Sequence, residues 1–511
     1  MINPLINQLT NQFSRVGFAS RVLTVIGLMG ALLIFGCTIA NTYTVGGTVS
    51  RLQGTVVLQV NGAGNLPLTA NGPFIFGSKF RIGAAYMVTV LTQPSNPNQT
   101  CTVANGSGTV MSASNNKVSV TCVYTTTALV TTEATNSGCT APCNPGNNRV
   151  LIYNAQLASG QSANVVLGQP NFGTFAVGQT AATMNNPLAT VEDRSGNLYV
   201  ADDLNCRVVQ FQPNFMTGMS ATLALGQPNL TTATCPTVIG PATLGNNNAI
   251  GSDQVVGLSF DGSGNLWVAD TGSNRVLEYK PPFATQMVAS VAIGQPDLIS
   301  GNPNQNLTAP TQSTLSNPDW ITFDFSGNLW IPDVLNNRLL EFVPPFTTGM
   351  MANLVLGQMG FTQSLANQGA AGASANTLNN ALSAAFDISG NLWVADSANN
   401  RVLEYAPPFI TNMGATLVLG QADLTSNLPN QGLAAPTAKT LSFPVQVAFD
   451  SSGNLIVTDF SNNRTLVFMP PFATGMGAGL VLGQGNFNST APATTVNGQD
   501  SPSGISVTPP L

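Results

Sequence analysis

From residue 195 onward, apolar and polar positions fall into one recurring pattern of short alternating runs broken by turn residues. Five copies of a turn-and-strand motif stand in register, at Ser195–Asp202, Ser263–Asp270, Ser326–Asp333, Ser389–Asp396 and Ser452–Asp459. Their glycines, 196, 264, 327, 390 and 453, are spaced 68, 63, 63 and 63 residues apart. Each copy continues through an arginine (Arg207, Arg275, Arg338, Arg401, Arg464) and an apolar stretch such as Val276-Leu277-Glu278-Tyr279. A bend such as Pro281-Pro282-Phe283 follows, then a segment such as Val355-Leu356-Gly357-Gln358. The pattern predicts four strands per copy, in the second copy Val256–Asp261, Asn265–Asp270, Arg275–Tyr279 and Val288–Ile293. The period of two marks half-buried strands, and the Gly-containing turn between the first two marks a hairpin. Four antiparallel strands copied in tandem describe a β-propeller blade.

The ends of the array set the blade count. Asn147-Asn148-Arg149-Val150-Leu151-Ile152-Tyr153 is a sixth arginine strand, followed by Val165-Val166-Leu167-Gly168-Gln169 but preceded by no strand pair. Gly504-Ile505-Ser506-Val507 is a first strand with nothing after it. Together they predict a composite sixth blade in which the carboxy terminus closes the ring and removes exposed sheet edges. Its second strand is missing from this pattern, so the expectation is either a three-stranded blade or a truncated carboxy terminus. The motif Gly264-Asn265-Leu266-Trp267-Val268-Ala269-Asp270 followed by Asn274-Arg275-Val276-Leu277 closely resembles the NHL repeat. That resemblance covers residues 147–511 and implies a six-bladed propeller that presents one face to a partner.

Upstream, residues 42–125 alternate as strands do, for example Thr55–Val60, Tyr86–Val90 and Val118–Cys122, with turn clusters such as Asn61-Gly62 between them. An antiparallel β-sandwich is expected. The segments Tyr43–Val49 and Gln99–Gly106 resemble Ig-like modules of exported bacterial proteins, which implies a spacer or adhesive role. The Thr-rich stretch that follows reads as a linker over 126–146. At the amino terminus, Arg15 and Arg21 precede an apolar run from Val22 to Phe35, a charged n-region followed by an h-region. Ile34-Phe35-Gly36-Cys37 resembles a lipoprotein signal, which implies residues 1–37 as the signal and lipidation at Cys37. Thr38 after the cysteine then favours the outer membrane. A retained anchor and cleavage after Ala40 are the alternatives. With Cys37 set aside, six cysteines pair in order as Cys101–Cys122, Cys139–Cys143 and Cys206–Cys235, in keeping with an exported protein.

Composition narrows the chemistry. Asp, Glu, Lys and Arg make up 7% of the 511 residues, against about 25% in ordinary soluble domains. Histidine is absent, which removes histidine-ligated zinc, a Ser-His-Asp triad and a histidine proton shuttle. Only four lysines are present, so nucleic acid is not an expected partner. Most charges sit at repeat positions. Asp202, Asp270, Asp333, Asp396 and Asp459 are expected to pair with the arginines. Asp193, Asp261, Asp324, Asp387 and Asp450 are expected to cap the turn into the second strand, with calcium binding at these turns as the alternative.

Five acids stand outside the pattern: Glu192, Asp203, Asp253, Asp319 and Asp500. At the start of the first strand the copies carry Ala189, Gly257, Trp320, Ser383 and Gln446, so Trp320 is the odd one and Asp319 precedes it. An aromatic beside a carboxylate at the mouth of the axis can take a cation, a sugar or a basic peptide. The plainer alternative is a tryptophan filling a gap between blades. The candidate ligand-binding residues are therefore Trp320, Asp319, Glu192 and Asp253, with no catalytic residue and no metal ligand assigned. The expected function is a membrane-anchored, non-catalytic binding or scaffold module for envelope protein, peptide or glycan, most simply a monomer without cofactor. The alternative is a calcium-dependent lactonase- or lyase-like propeller enzyme with Glu192 at a site in the central channel.

Overall fold

The computed structural model describes residues 42–50, 52, 54–94, 99–111, 115–124, 128–133, 147–154, 157–247 and 253–508. Cys37, the Cys139–Cys143 pair and residues 134–146 of the expected linker lie outside them. Among the described residues the chain is all-β, its helices being short 3-10 turns. No described helix is long and apolar enough to cross a membrane. The chain divides into two compact units, one holding Val56–Thr92 and Thr102–Thr121, the other running on from Cys122.

In the amino-terminal region one four-stranded sheet has the order Gly72–Ile75, Val45–Ser50, Asn115–Tyr124, Gln99–Ala104. A second has the order Ala63–Leu68, Val56–Val60, Ala85–Thr92, Ser107–Thr109. Val45–Ser50 pairs antiparallel with Gly72–Ile75, and the second sheet is antiparallel throughout, but Val45–Ser50 and Asn115–Tyr124 run parallel at the centre of the first sheet. Gly47 permits this approach, since a Cβ there would lie 1.8 Å from the Val118 carbonyl oxygen. Cys101 and Cys122 are disulfide-bonded across neighbouring strands of that sheet.

The repeats form five four-stranded antiparallel sheets of the propeller type, each a simple meander in chain order. In the second repeat sheet the strands are Leu258–Phe260, Leu266–Asp270, Arg275–Tyr279 and Val291–Ile293. The fourth begins at Val291, because Val288 is still in the exposed bend. The turn into the second strand is built by Asp261. Its Oδ1 accepts N–H bonds from Ser263 (2.8 Å) and Asn265 (2.9 Å), and its Oδ2 accepts from Asn265 Nδ2 (2.8 Å) and Trp267 Nε1 (3.2 Å). Gly264 sits in the turn at φ +83°, where a side chain is strained. The same bonds recur at Asp324 and Asp387, so these oxygens are used by the turn and leave no calcium loop.

Trp267 then packs edge-on against Phe323 and Phe346 of the next sheet, with centroids 5.9 and 4.8 Å away. Trp330 and Trp393 repeat this against the sheets that follow them, and Tyr199 takes the role in the first copy. Each such ring is an inter-sheet contact that adds about 0.5–1.5 kcal/mol beyond its buried area.

The repeat aspartates and arginines pair as expected, and the pairs are fully buried. Asp270 and Arg275 face each other across the second and third strands, with Nε 2.6 Å from Oδ2. Arg275 Nη1 donates to the Leu298 carbonyl (2.6 Å), and Nη2 donates to those of Gly240 and Thr243 (both 3.1 Å). Asp270 Oδ1 accepts the Gly245 N–H (2.6 Å). One guanidinium thus ties its own hairpin to the loops on either side, and the other copies keep the arrangement.

The segment read as linker contains a strand. Ala128–Glu133 pairs antiparallel with Arg149–Asn154 on one side and with the carboxy-terminal Pro502–Thr508 on the other. Val165–Leu167 completes a four-stranded composite sheet, so the missing second strand comes from upstream of the repeats. Glu133 stands where the repeats carry aspartate and pairs with Arg149 at 2.5 Å. One edge bond recurs between successive sheets. An outer-strand N–H donates to a hydroxyl of the next sheet's loop, as in Ala224 to Thr285, Ala292 to Thr348, Val355 to Thr411 and Val418 to Thr474. The composite sheet donates from Val166 to Thr217 and receives from Val481 at Ser159. At its inner strand, Ile505 N–H donates to Gln446 Oε1, and the hydroxyls of Ser506 and Thr190 lie 2.7 Å apart.

Deleting Pro502–Leu511 is expected to lower unfolding stability by at least about 4 kcal/mol, because it removes the buried inner strand and leaves Ala128–Glu133 without its partner on that side. Denaturant unfolding of the full-length and truncated proteins checks this, and an unchanged midpoint counts against a closing role for that strand.

Candidate functional site

The copies are so alike that the site is best located where they differ. The residue before each repeat arginine shows this. Asn148, Asn274, Asn337, Asn400 and Asn463 each accept, at their amide oxygen, a main-chain N–H of the next sheet (Asn186, Asn317, Asn380, Phe443 and Ser501) at 2.8 to 2.9 Å. The first repeat sheet carries Cys206 instead, and that side chain is used by the disulfide to Cys235. Asp203 makes the missing link. Its Oδ1 accepts the N–H groups of Gln254 (2.5 Å) and Val255 (2.8 Å), while its Oδ2 accepts Asn186 Nδ2 (2.7 Å). The same junction holds the longer spacing, and Gln254 pins the base of the extra loop by accepting the Asn246 N–H at 2.7 Å. Asp253 lies beside that base and is partly exposed.

Three residues on, Gly257 brings this strand against the next one. A Cβ at Gly257 would lie 2.4 Å from the Asp319 carbonyl oxygen and 2.8 Å from the Trp320 Cα. Asp203, Asp253 and Asp319, together with Trp320, therefore gather at one irregular junction. Asp319 is 3% exposed and Trp320 6% exposed. Asp319 N–H donates to the Pro332 carbonyl (3.1 Å) and Trp320 N–H to that of Leu382 (3.2 Å), so both main chains are fixed. In the side chains, Asp319 Oδ1 and Trp320 Nε1 are buried without hydrogen-bond partners.

Trp320 belongs to a contiguous apolar cluster that takes first-strand residues from all five repeat sheets, among them Leu188, Val256, Leu382 and Val445. The cluster therefore links the five repeat sheets through residues in or just before their first strands and fills the space between those strands with apolar side chains. Trp320 is part of that filling, not an exposed aromatic at a mouth. Glu192 is not with the others. It closes the first strand of its sheet, at the position of Phe260, Phe323, Phe386 and Phe449. The counterpart of Asp319 in that sheet is Leu188, which places Glu192 about 13 Å further along the strand. Asp500 lies in the composite sheet's approach, where Ser501 Oγ donates to it (3.1 Å). The structure thus joins three of the four candidate residues, Asp319, Asp253 and Trp320. It adds Asp203 and leaves Glu192 apart.

Burial holds the carboxyl groups of Asp319 and Asp203 well above the usual carboxylate range. The negative charge of Asp253 raises both further, and Asp203 adds to the effect on Asp319. For Asp203 the N–H bonds from Val255, Gln254 and Asn186 work in the opposite direction. These acids do not make a calcium shell. Calcium takes six to eight oxygens, and both oxygens of Asp203 already receive N–H donors. Among the described residues no group of three or more Cys, Asp or Glu is arranged to hold a metal ion.

No family model and no curated protein matches the chain. Among solved structures it is similar to a catalytically inactive virginiamycin B lyase from Staphylococcus aureus, with 11% identity, 64% of this chain and 75% of that chain covered, and a TM-score of 0.35. It is also similar to the periplasmic gluconolactonase of Pseudomonas aeruginosa, with 15% identity, 75% and 86% covered, and a TM-score of 0.40. A protein of unknown function from Bacteroides caccae shares 9% identity, with 75% and 98% covered and a TM-score of 0.42.

Two outcomes follow from this geometry. Trp320→Ala is expected to cost about 3–5 kcal/mol in denaturant unfolding, as loss of a core ring does, whereas Trp320→Phe keeps most of the volume and removes an unpaired N–H at little cost. A raised carboxyl pKa in the folded state means that stability is full below the unfolded value and is lost as pH rises through the folded one. Asp319→Asn is therefore expected to gain on the wild type in melting temperature as pH rises above the ordinary carboxyl value of about 4. A constant gap across that range would show that Asp319 does not titrate with folding.

Proposed function

We propose that this chain is an exported, membrane-anchored NHL-type propeller of six blades that acts as a non-catalytic binding or scaffold module for an envelope protein, peptide or glycan. The composite sheet closes its ring, an Ig-like two-sheet sandwich precedes it, and a lipid at Cys37 anchors it to the outer membrane. The observation that carries the functional part is the apolar filling between the first strands. The space there, where a propeller enzyme would place its chemistry, is packed with Leu188, Val256, Trp320, Leu382 and Val445.

The disposition of charge supports the same reading. The repeat arginines and their carboxylates are fully buried against one another, so they hold the frame and meet no substrate. Recognition then falls to the loop-bearing faces, where single apolar side chains such as Leu365, Leu428, Met351 and Ile410 are exposed. The disulfides Cys101–Cys122 and Cys206–Cys235 fit an oxidising compartment outside the cytosol.

The test is cross-linking of the full-length protein in intact envelopes, followed by binding of the purified pair. Saturable one-to-one binding that is unaffected by a calcium chelator is the expected result. Calcium-restorable turnover of a lactone by the purified protein, with no partner found, would replace this reading with the enzymatic one.

A further inference from the structure

The amino-terminal module carries charge of one sign only. Residues 42–125 hold Arg51, Lys79, Arg81 and Lys117 and no acid, whereas residues 147–511 hold 20 acids against nine bases. The module also begins close to the anchor. Five residue steps separate Cys37 from Thr42, a reach of about 18 Å at full extension. Thr42 and Tyr43 pair at once with Arg81 and Phe80. The next strand, Val45–Ser50, sets Gly46 opposite Ile75, and Phe76 N–H donates to the Val45 carbonyl at 2.9 Å. Just past Arg81, Gly83 N–H donates to the Val110 carbonyl at 2.9 Å, which brings Met111 to the same edge. Ile75, Lys79, Arg81, Ile82 and Met111 therefore border the point at which the chain enters the module.

All five side chains are open to solvent. Ile75 is 56% exposed, Ile82 58% and Met111 71%, and Lys79 and Arg81 are exposed as well. The module contains no acid with which either cation could pair. We propose that this edge docks on the surface of a bilayer containing anionic phospholipid. Lys79 and Arg81 meet the headgroup phosphates, and the tips of Ile75, Ile82 and Met111 enter the headgroup region. The proposal rests on the membrane-anchored reading given above and adds the surface that the anchor brings down onto the lipid.

Reach, charge and composition agree on this occupant. The short tether makes the encounter intramolecular, so a weak contact suffices to hold the edge down. Basic side chains are drawn to an anionic leaflet within a Debye length of it, and the net-negative repeats are repelled from the same surface. The acid-free module is thus the part of the chain that settles on the lipid. Apolar tips set beside cations are the composition that interfacial attachment to anionic lipid uses. A protein partner would have to bring an acidic, apolar face to this edge, whereas the bilayer already lies within the length of the tether.

The experiment reconstitutes the full-length protein, extracted from envelopes, into vesicles of phosphatidylcholine alone or of equal parts phosphatidylcholine and phosphatidylglycerol, with brominated acyl chains as quencher. Ile82→Trp places an indole beside Arg81. Leu91→Trp places one on an exposed position about 20 Å along the Ala85–Thr92 strand from Ala85. The native tryptophans are buried and give the background to be subtracted. In the mixed vesicles the added indole of Ile82→Trp is expected to be quenched and that of Leu91→Trp to be spared. Lys79→Ser and Arg81→Ser, made in the Ile82→Trp chain, are each expected to lower the ratio of docked to undocked protein about fivefold. Cooperative unfolding of each variant confirms that it is folded. Equal quenching at the two positions, or quenching that survives loss of both charges, would overturn the docking surface. So would a blue shift that grows with protein concentration without lipid, which would assign the edge to a second copy of the chain. Protein that floats with the vesicles while the Ile82→Trp indole stays unquenched sinks the docking alone, whereas protein that floats with neither vesicle sinks the membrane-anchored reading with it.

Discussion

A buried arginine facing a buried carboxylate is the interaction on which the rest of the repeat unit depends. Its importance lies in the number of separate segments that one guanidinium holds. Arg338 donates Nε to Asp333 and Nη2 to the carbonyls of Thr311 and Thr314, and Nη1 to that of Phe361. The loop that enters the sheet, the hairpin inside it and the loop that leaves it therefore meet at one side chain. A lysine has neither the planar fork nor enough fixed donors to do this. Removing one partner of such a pair leaves a charge buried in low dielectric, a loss of about 3–5 kcal/mol. In the five repeat sheets this lock turns one arginine and one aspartate per copy wholly inward.

The repeat locks also explain how much of the fold was legible in the sequence. A strictly repeated Asp and Arg five residues apart, with a turn between, specifies two adjacent strands and their register. The strands of every full copy are accordingly visible before any coordinates are known. The composite sheet was only half visible. Its third, fourth and first strands carry the pattern, but its second strand, Ala128-Leu129-Val130-Thr131-Thr132-Glu133, lacks the Gly-Asn turn and ends in glutamate. Thr131 and Thr132 looked like linker residues, yet both are buried, and Thr132 Oγ1 donates to the Leu188 carbonyl at 2.9 Å. Polar composition concealed a strand whose hydroxyls are satisfied across the sheet boundary.

The candidate site was legible to the extent that it broke the repeat. Asp319, Trp320 and Asp253 were visible as departures, and they converge. Glu192 departed from the pattern too, but at the far end of its strand, where the aligned residues are phenylalanines that cover the neighbouring sheet. Its position along the strand held that information, had the copies been aligned residue by residue. Asp203 departed from the pattern as well but was not among the candidate ligand-binding residues, because nothing in its own position shows what it replaces. The signal that distinguishes it is Cys206, where the other copies carry asparagine. Loss of that amide removes an inter-sheet acceptor, and some nearby group must then receive the N–H groups of Gln254 and Val255.

That exchange of roles gives the junction its chemical character. An asparagine link is neutral, adapts to the left-handed backbone at its position and carries no cost in unpaired charge. Replacing it with an aspartate brings a carboxyl group into a site already lined by Asp253 and Asp319, and burial then favours the protonated forms. The disulfide to Cys235 ties the following loop to the same point, so the junction is covalently held where its hydrogen bonding is least regular. Five junctions of this array use one neutral solution. The sixth uses a set of acids, two of them buried, beside an indole whose N–H has no acceptor. Such an arrangement lowers stability near neutral pH, and folding alone gives no reason to prefer it to the asparagine available at every other junction.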